Sequence, residues 1–211
     1  MSEFMTGKRA LLEMLKAEGV QYIFGNPGTS EAPIIDLLGD YPEFRYILCL
    51  QESVAVGMGE SYARATGKPS FVSLHVDSGL ANGIALMLDA FNTGTPMVIT
   101  SANYDARKIA EGKTDLAELV RPVTKWAVEL SIPDQIPSAI RRAFNEANSH
   151  PKGPVYLGFT SNALEGTALM NIIPSTTIFD SVIPDPKGIR EAAELLVNAK
   201  SPIMIVGDRV S

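Results

Sequence analysis

Glu52 follows the largely apolar run Tyr46-Ile47-Leu48-Cys49-Leu50 and precedes Ser53-Val54-Ala55-Val56-Gly57, which sets a carboxylate in apolar surroundings at the start of a helix. Taken alone, such an acid reads as a charge placed well near a helix N-terminus, worth about 0.3–1 kcal/mol. It does not stand alone. Gly25-Asn26-Pro27-Gly28-Thr29, His75 to Gly79, and Ser101 to Tyr104 also follow apolar runs that read as strands. Ligands of open parallel sheets collect at the carboxyl ends of strands, so four segments distant in sequence can form one constellation. Several other chemistries are excluded. There is no Gly-x-x-x-x-Gly-Lys-Ser/Thr phosphate loop, and Gly57-Met58-Gly59-Glu60-Ser61-Tyr62 has Tyr62 where a dinucleotide fingerprint needs its last glycine. Gly57 and Gly59 instead read as points of close approach by another helix. Two histidines, His75 and His150, give no zinc spacing, and the nucleophile elbow Gly-x-Ser-x-Gly is missing.

The elements that must position these residues alternate between strand and helix. Leu11, Leu12 and Leu15 lie on one face of a first helix, capped by Thr6 and ended by Gly19. Strands are expected at 20–24, 46–50, 70–75, 97–101, 123–129 and 155–159. Helices are expected at 31–38 with Ser30 as N-cap, at 54–66 ended by Gly67, at 79–92 and at 134–148. Short strands that are apolar on both sides, separated by helices, predict an α/β fold: a doubly wound parallel sheet of about six strands with helices on both faces. This first domain covers residues 1–160. Residues 161–186, rich in Thr, Ser, Pro and Asn, read as a linker. Residues 187–211 hold a new helix and an apolar run, Ile203 to Val206, expected as a strand; together they read as the start of a truncated central domain. Pairing of that run with the edge of the first sheet is the alternative.

Composition narrows the function class. A net charge of −6 with scattered Lys and Arg argues against nucleic acid as a partner, since phosphate binding needs clustered cations. No apolar stretch approaches the roughly 20 residues of a membrane helix, and the amphipathic first twenty residues, with Glu13 and Glu18, do not resemble a signal peptide. The expected location is cytoplasmic. The single cysteine, Cys49, reads as a small core residue.

Several motifs, in order, carry a resemblance to a known family. They are Gly25-Asn26-Pro27-Gly28-Thr29-Ser30-Glu31; Leu50-Gln51-Glu52 with Gly57 five residues on; and Glu60-Ser61-Tyr62-Ala63-Arg64-Ala65-Thr66-Gly67-Lys68-Pro69. Then come Leu74-His75, Ser78-Gly79-Leu80-Ala81-Asn82-Gly83, Thr95-Pro96-Met97-Val98-Ile99-Thr100, Arg121-Pro122 with Lys125-Trp126, and Lys152-Gly153-Pro154-Val155-Tyr156-Leu157. From about Gly7 to Phe159 the chain resembles the pyrimidine-binding domain of thiamine-diphosphate enzymes, most closely those of the benzoylformate decarboxylase kind. The resemblance implies a 2-oxo acid substrate, thiamine diphosphate with Mg2+ as cofactor, and a homo-oligomer, dimer or tetramer, with each site at a subunit interface.

It also implies roles. Glu52 matches the glutamate that hydrogen-bonds N1′ of the aminopyrimidine ring and so favours conversion of the cofactor to its ylid. His75 matches a histidine that acts on substrate, its alternative being a solvated or core-satisfied ring. Thr29 matches a substrate-contacting serine, its alternative being a turn hydroxyl. Asn26, Pro27 and Gly28 shape a loop near the pyrimidine, and Gly79 and Asn82 pack around the cofactor. The family's Gly-Asp-Gly…Asn motif for Mg2+ and diphosphate does not occur in these 211 residues. Gly207-Asp208-Arg209 only begins like it, so metal and diphosphate ligands are expected in a further C-terminal part. Asp77 adds a carboxylate where the pattern has small residues, and Asn103 stands where acetolactate synthase relatives carry glutamine. An acetolactate synthase-like carboligase, and a separate half-site subunit that pairs with a diphosphate-binding chain, remain as alternative readings.

Overall fold

In a computed structural model, residues 2–176 and 183–207 are described, the side chains of residues 109 and 110 excepted. Asp208 and Arg209, noted above, lie outside them. The order of elements is β1 (Glu3–Thr6), α1 (Gly7–Ala17), β2 (Tyr22–Asn26), α2 (Ala32–Leu37), β3 (Arg45–Leu48), α3 (Glu52–Thr66), β4 (Ser70–Leu74), α4 (Ser78–Thr93) and β5 (Met97–Asn103). There follow α5 (Leu116–Val120), β6 (Ala127–Leu130), α6 (Ile136–Asn148), β7 (Pro154–Thr160), α7 (Ser161–Glu165), β8 (Thr167–Met170) and α8 (Pro186–Asn198). The fold is α/β. Six strands form one sheet in the order β3-β2-β4-β5-β7-β6, every neighbouring pair parallel.

Alternation along the central strands builds two cores. Ile23, Phe71, Val98, Val155 and Leu157 face α1 and α6, whereas Phe24, Val72, Ile99 and Tyr156 face α3, α4 and α5. Successive side chains of a strand point to opposite faces, so a buried parallel strand must be apolar on both. Helix α2 leaves β2 on the first face, and α4 leaves β4 on the second. Because β2 and β4 are adjacent, with Asn26 beside Leu74, their helices diverge and open a crevice at the carboxyl ends.

Boundaries shift from the sequence expectation for local reasons. The Val20 amide closes α1 on the Leu15 carbonyl (3.0 Å), so β2 begins only at Tyr22. Residues 121–123 tighten into a 3-10 turn, which delays β6 to Ala127. Ser30 does not cap α2; Glu31 holds that position, without a side-chain cap. Of the paired glycines, Gly57 meets Leu86 of α4, but Gly59 lies against Val72 and Met97 of the sheet rather than another helix.

Residues 161–170, expected as linker, form α7 and β8, and β8 pairs antiparallel with β1. Their polar residues serve caps and an edge ladder: the Thr160 hydroxyl accepts from the Ala163 amide. Residues 203–206 have no ladder and are exposed. A strand exists only through its pairing, and none is available to them among the described residues. Helix α8 is exposed throughout.

Gly7 begins α1 where its Cα faces the Ala163 carbonyl oxygen and Ile136. Gly7→Ala places a methyl group into backbone there, and should cost about 1–3 kcal/mol of stability. Thermal unfolding reads this as a clear fall in Tm; an unchanged Tm would show that the α1–α7 seam yields freely.

Candidate functional site

The first residue of α3 is Glu52, only 6% exposed. Burial of a carboxylate is tolerable when donors surround it. Asn26, the last residue of β2, donates through Nδ2 to Oε1 at 2.9 Å, and Asn82 of α4 donates through Nδ2 to Oε2 at 3.3 Å. Gly79 completes the cradle. A Cβ at Gly79 would lie 2.8 Å from Glu52 Oε1 and 2.7 Å from His75 Cβ, so only hydrogen fits. Gly28 is constrained the same way, because a Cβ there would overlap the His75 ring. Thus Asn26, Gly28, Glu52, His75, Gly79 and Asn82, spread over 57 positions of sequence, form one contiguous group (26 to 82).

His75 follows β4 and is half-buried. Its Nδ1 lies 3.0 Å from Glu31 Oε2 and 3.3 Å from the Ser30 hydroxyl. Glu31 is fully buried, and its carboxylate accepts from the amides of Gly28 and Ala102, both at 2.9 Å. Sequence reading did not single out Glu31. The available signal was an acid three residues after Gly28, at the end of the Gly25-to-Glu31 motif that carried part of the resemblance. Thr29 is exposed beside this loop, and Pro27 holds it between Asn26 and Gly28.

Asp77 adopts φ +53°, ψ −104°, the one positive φ among described residues other than glycine. The Gly79 amide bonds the Val76 carbonyl at 3.1 Å, so Asp77 occupies the second position of a turn whose dihedrals favour glycine. Its Oδ1 is enclosed without a partner. The fourth segment contributes backbone more than side chains. Ser101 bonds the Tyr156 hydroxyl at 2.5 Å, and Asn103 donates to Glu129 and to the Thr114 carbonyl. Burial pushes the Tyr156 phenol far above its ordinary range. Cys49 is buried, and burial raises its thiol too, as suits a packing residue rather than a nucleophile.

The crevice is therefore lined by a buried carboxyl held by two amides, with glycines keeping space around it and a histidine beside it. That donor set fits a heteroaromatic ring nitrogen that shares a proton with an acid. Two amide donors leave further lone pairs on the carboxylate, and exposed Asn82 marks the approach to Oε2. Among the described residues, no group of three or more His, Cys, Asp and Glu is placed to hold a metal ion, and no helix is long and apolar enough to cross a membrane.

The strain at Asp77 is testable. Asp77→Gly should raise stability by roughly 1 kcal/mol, since such backbone strain costs about 1–3 kcal/mol and glycine forfeits some of the gain through unfolded-state entropy. Denaturant titration measures it; a less stable variant would mean that the aspartate side chain holds the turn.

The chain is 32% identical over 208 residues to benzoylformate decarboxylase of Pseudomonas aeruginosa, covering 95% of this chain but 39% of that protein. It is 31% identical over 217 residues to the mitochondrial acetolactate synthase catalytic subunit of Saccharomyces cerevisiae, covering 96% of this chain and 31% of that one. The thiamine diphosphate-dependent 4-hydroxybenzoylformate decarboxylase of Rhodococcus jostii superposes with a TM-score of 0.83 at 26% identity, over 97% of this chain and 40% of that one. The chain thus spans about two fifths or less of these relatives. Residues 5–121 match the thiamine pyrophosphate enzyme, N-terminal TPP binding domain, and the chain belongs to that family.

Proposed function

We propose that this chain is the pyrimidine-binding part of a thiamine-diphosphate-dependent 2-oxo-acid decarboxylase of the benzoylformate decarboxylase kind. The observation that carries the reading is the Glu52 carboxylate, buried at the head of α3 and clasped by Asn26 and Asn82. When bound, thiamine diphosphate supplies a nucleophilic carbon for the substrate carbonyl and a sink for the electrons released with carbon dioxide. Glu52 would hold a proton at N1′ of the aminopyrimidine and so set its tautomer. Asn26 and Asn82 fix the carboxyl plane, and Gly79 leaves the ring room. His75 and Thr29 would face the substrate, His75 moving a proton there. Mg2+ and diphosphate ligands would come from a further part of the protein. Glu52→Gln keeps the size and an oxygen that can accept from one of the two asparagines, but loses the acid. We expect it to fold normally and to reduce kcat by at least about 10²-fold in the full-length enzyme; wild-type turnover would refute the role.

Homo-oligomerisation, as a dimer or tetramer, belongs to the same proposal. Leu50, Val54, Met58, Leu88 and Phe91 are exposed apolar residues on or beside α3 and α4, and a shallow groove of 570 Å³ runs along Val54, Gly57, Met58 and Leu86. Exposed apolar patches of this kind mark interaction surfaces, and a partner subunit there would bring a diphosphate-binding part over the crevice. Residues 1–211 alone should consequently bind thiamine diphosphate weakly. Calorimetry would contradict this with a micromolar Kd. The carboligase reading keeps support from the acetolactate synthase likeness, and His75 is the feature against it. Product analysis with a 2-oxo acid, alone and with a second acceptor, separates the two.

A further inference from the structure

Glu31 carries the most deeply buried carboxylate of the crevice and has no part in the chemistry above. Its Oε1 accepts from the Ala102 amide and its Oε2 from the Gly28 amide, each at 2.9 Å. The Ser30 hydroxyl, 2.9 and 3.0 Å from the two oxygens, is a third donor. His75 Nδ1, at 3.0 Å from Oε2, is the fourth neighbour. Backbone amides can only donate, so both oxygens turn lone pairs to their partners. A carboxylate so arranged repels a lone pair and attracts an N–H. The short approach to Nδ1 therefore selects the imidazole tautomer that carries its proton on Nδ1. Nε2 is then the basic nitrogen, and it has no hydrogen-bond partner among the described residues.

We infer that Glu31 is the positioning residue for His75: it fixes the Nδ1–H tautomer and leaves Nε2 as the proton acceptor on the open side of the ring. The same carboxylate ties together the loop after β2, the loop after β4 and the end of β5, so Nδ1 faces an acid that two backbone amides hold in place. Its effect on rate rests on the role proposed for His75, but the tautomer does not.

Long-range 1H–15N spectra of the full-length protein, at a pH where the imidazole is neutral, read the tautomer directly. The His75 signals are assigned by their loss in His75→Asn. The wild type should show Nδ1 protonated. In Glu31→Gln the amide group can donate to Nδ1, and the proton should move to Nε2. Its kcat should fall about 10²-fold with KM little changed, and the variant combined with His75→Asn should be no slower than His75→Asn alone. An Nε2–H wild type would overturn the inference. If Glu31→Gln does not fold, the wild-type spectrum still decides. Should the tautomer behave as expected while His75→Asn turns over normally, the substrate role of His75 fails and the tautomer assignment stands.

Discussion

A carboxylate withdrawn from water needs hydrogen-bond donors, and in this chain those for Glu52 are side-chain amides carried by two other segments. Asn26 ends one strand and Asn82 sits in the first turns of the helix after another. That requirement ties local geometry to topology. The head of α3 lies over the crevice only because β2 and β4 are neighbours whose helices depart on opposite faces of the sheet. Small residues are equally demanded: a side chain at Gly79 would meet both the acid and the histidine, and one at Gly28 would overlap the histidine ring. The site is a property of the sheet edge, assembled from residues that are each unremarkable in isolation.

The second buried acid has a different part. Glu31 gathers amides from one loop and one strand end, and so stiffens the floor on which His75 rests. Glu52 is presented and Glu31 is enclosed. One carboxylate keeps access past an exposed asparagine, while the other has every oxygen occupied by the protein itself. Asp77 adds strain nearby, in a turn that glycine would form at lower cost.

Much of this was legible in the chain. Alternation such as Phe71-Val72 and Val98-Ile99 announces strands buried on two faces, and Thr6, Gly19 and Gly67 punctuate their helices as their chemistry dictates. The positions of Asn26, Glu52, His75 and Gly79 at strand ends followed from that pattern. What escaped was non-local. The edge pair of β1 and β8 joins residues over 160 positions apart, and nothing in Thr167 to Met170 reveals a partner at Glu3. The enclosure of Glu31 depends on the Ala102 amide, which no spacing rule connects to it. Ile203 to Val206 has strand composition without a strand, because composition supplies side chains but not a neighbour to pair with.

The central claim is that the acid at position 52 governs the reactivity of a bound aminopyrimidine. Its most direct measure is hydrogen–deuterium exchange at C2 of thiamine diphosphate bound to the full-length enzyme, followed by NMR after rapid quenching, for wild type and Glu52→Gln at equal cofactor occupancy. Exchange should be slower in the variant by orders of magnitude. Equal exchange rates would show that the carboxyl has no influence on the cofactor and would contradict the account.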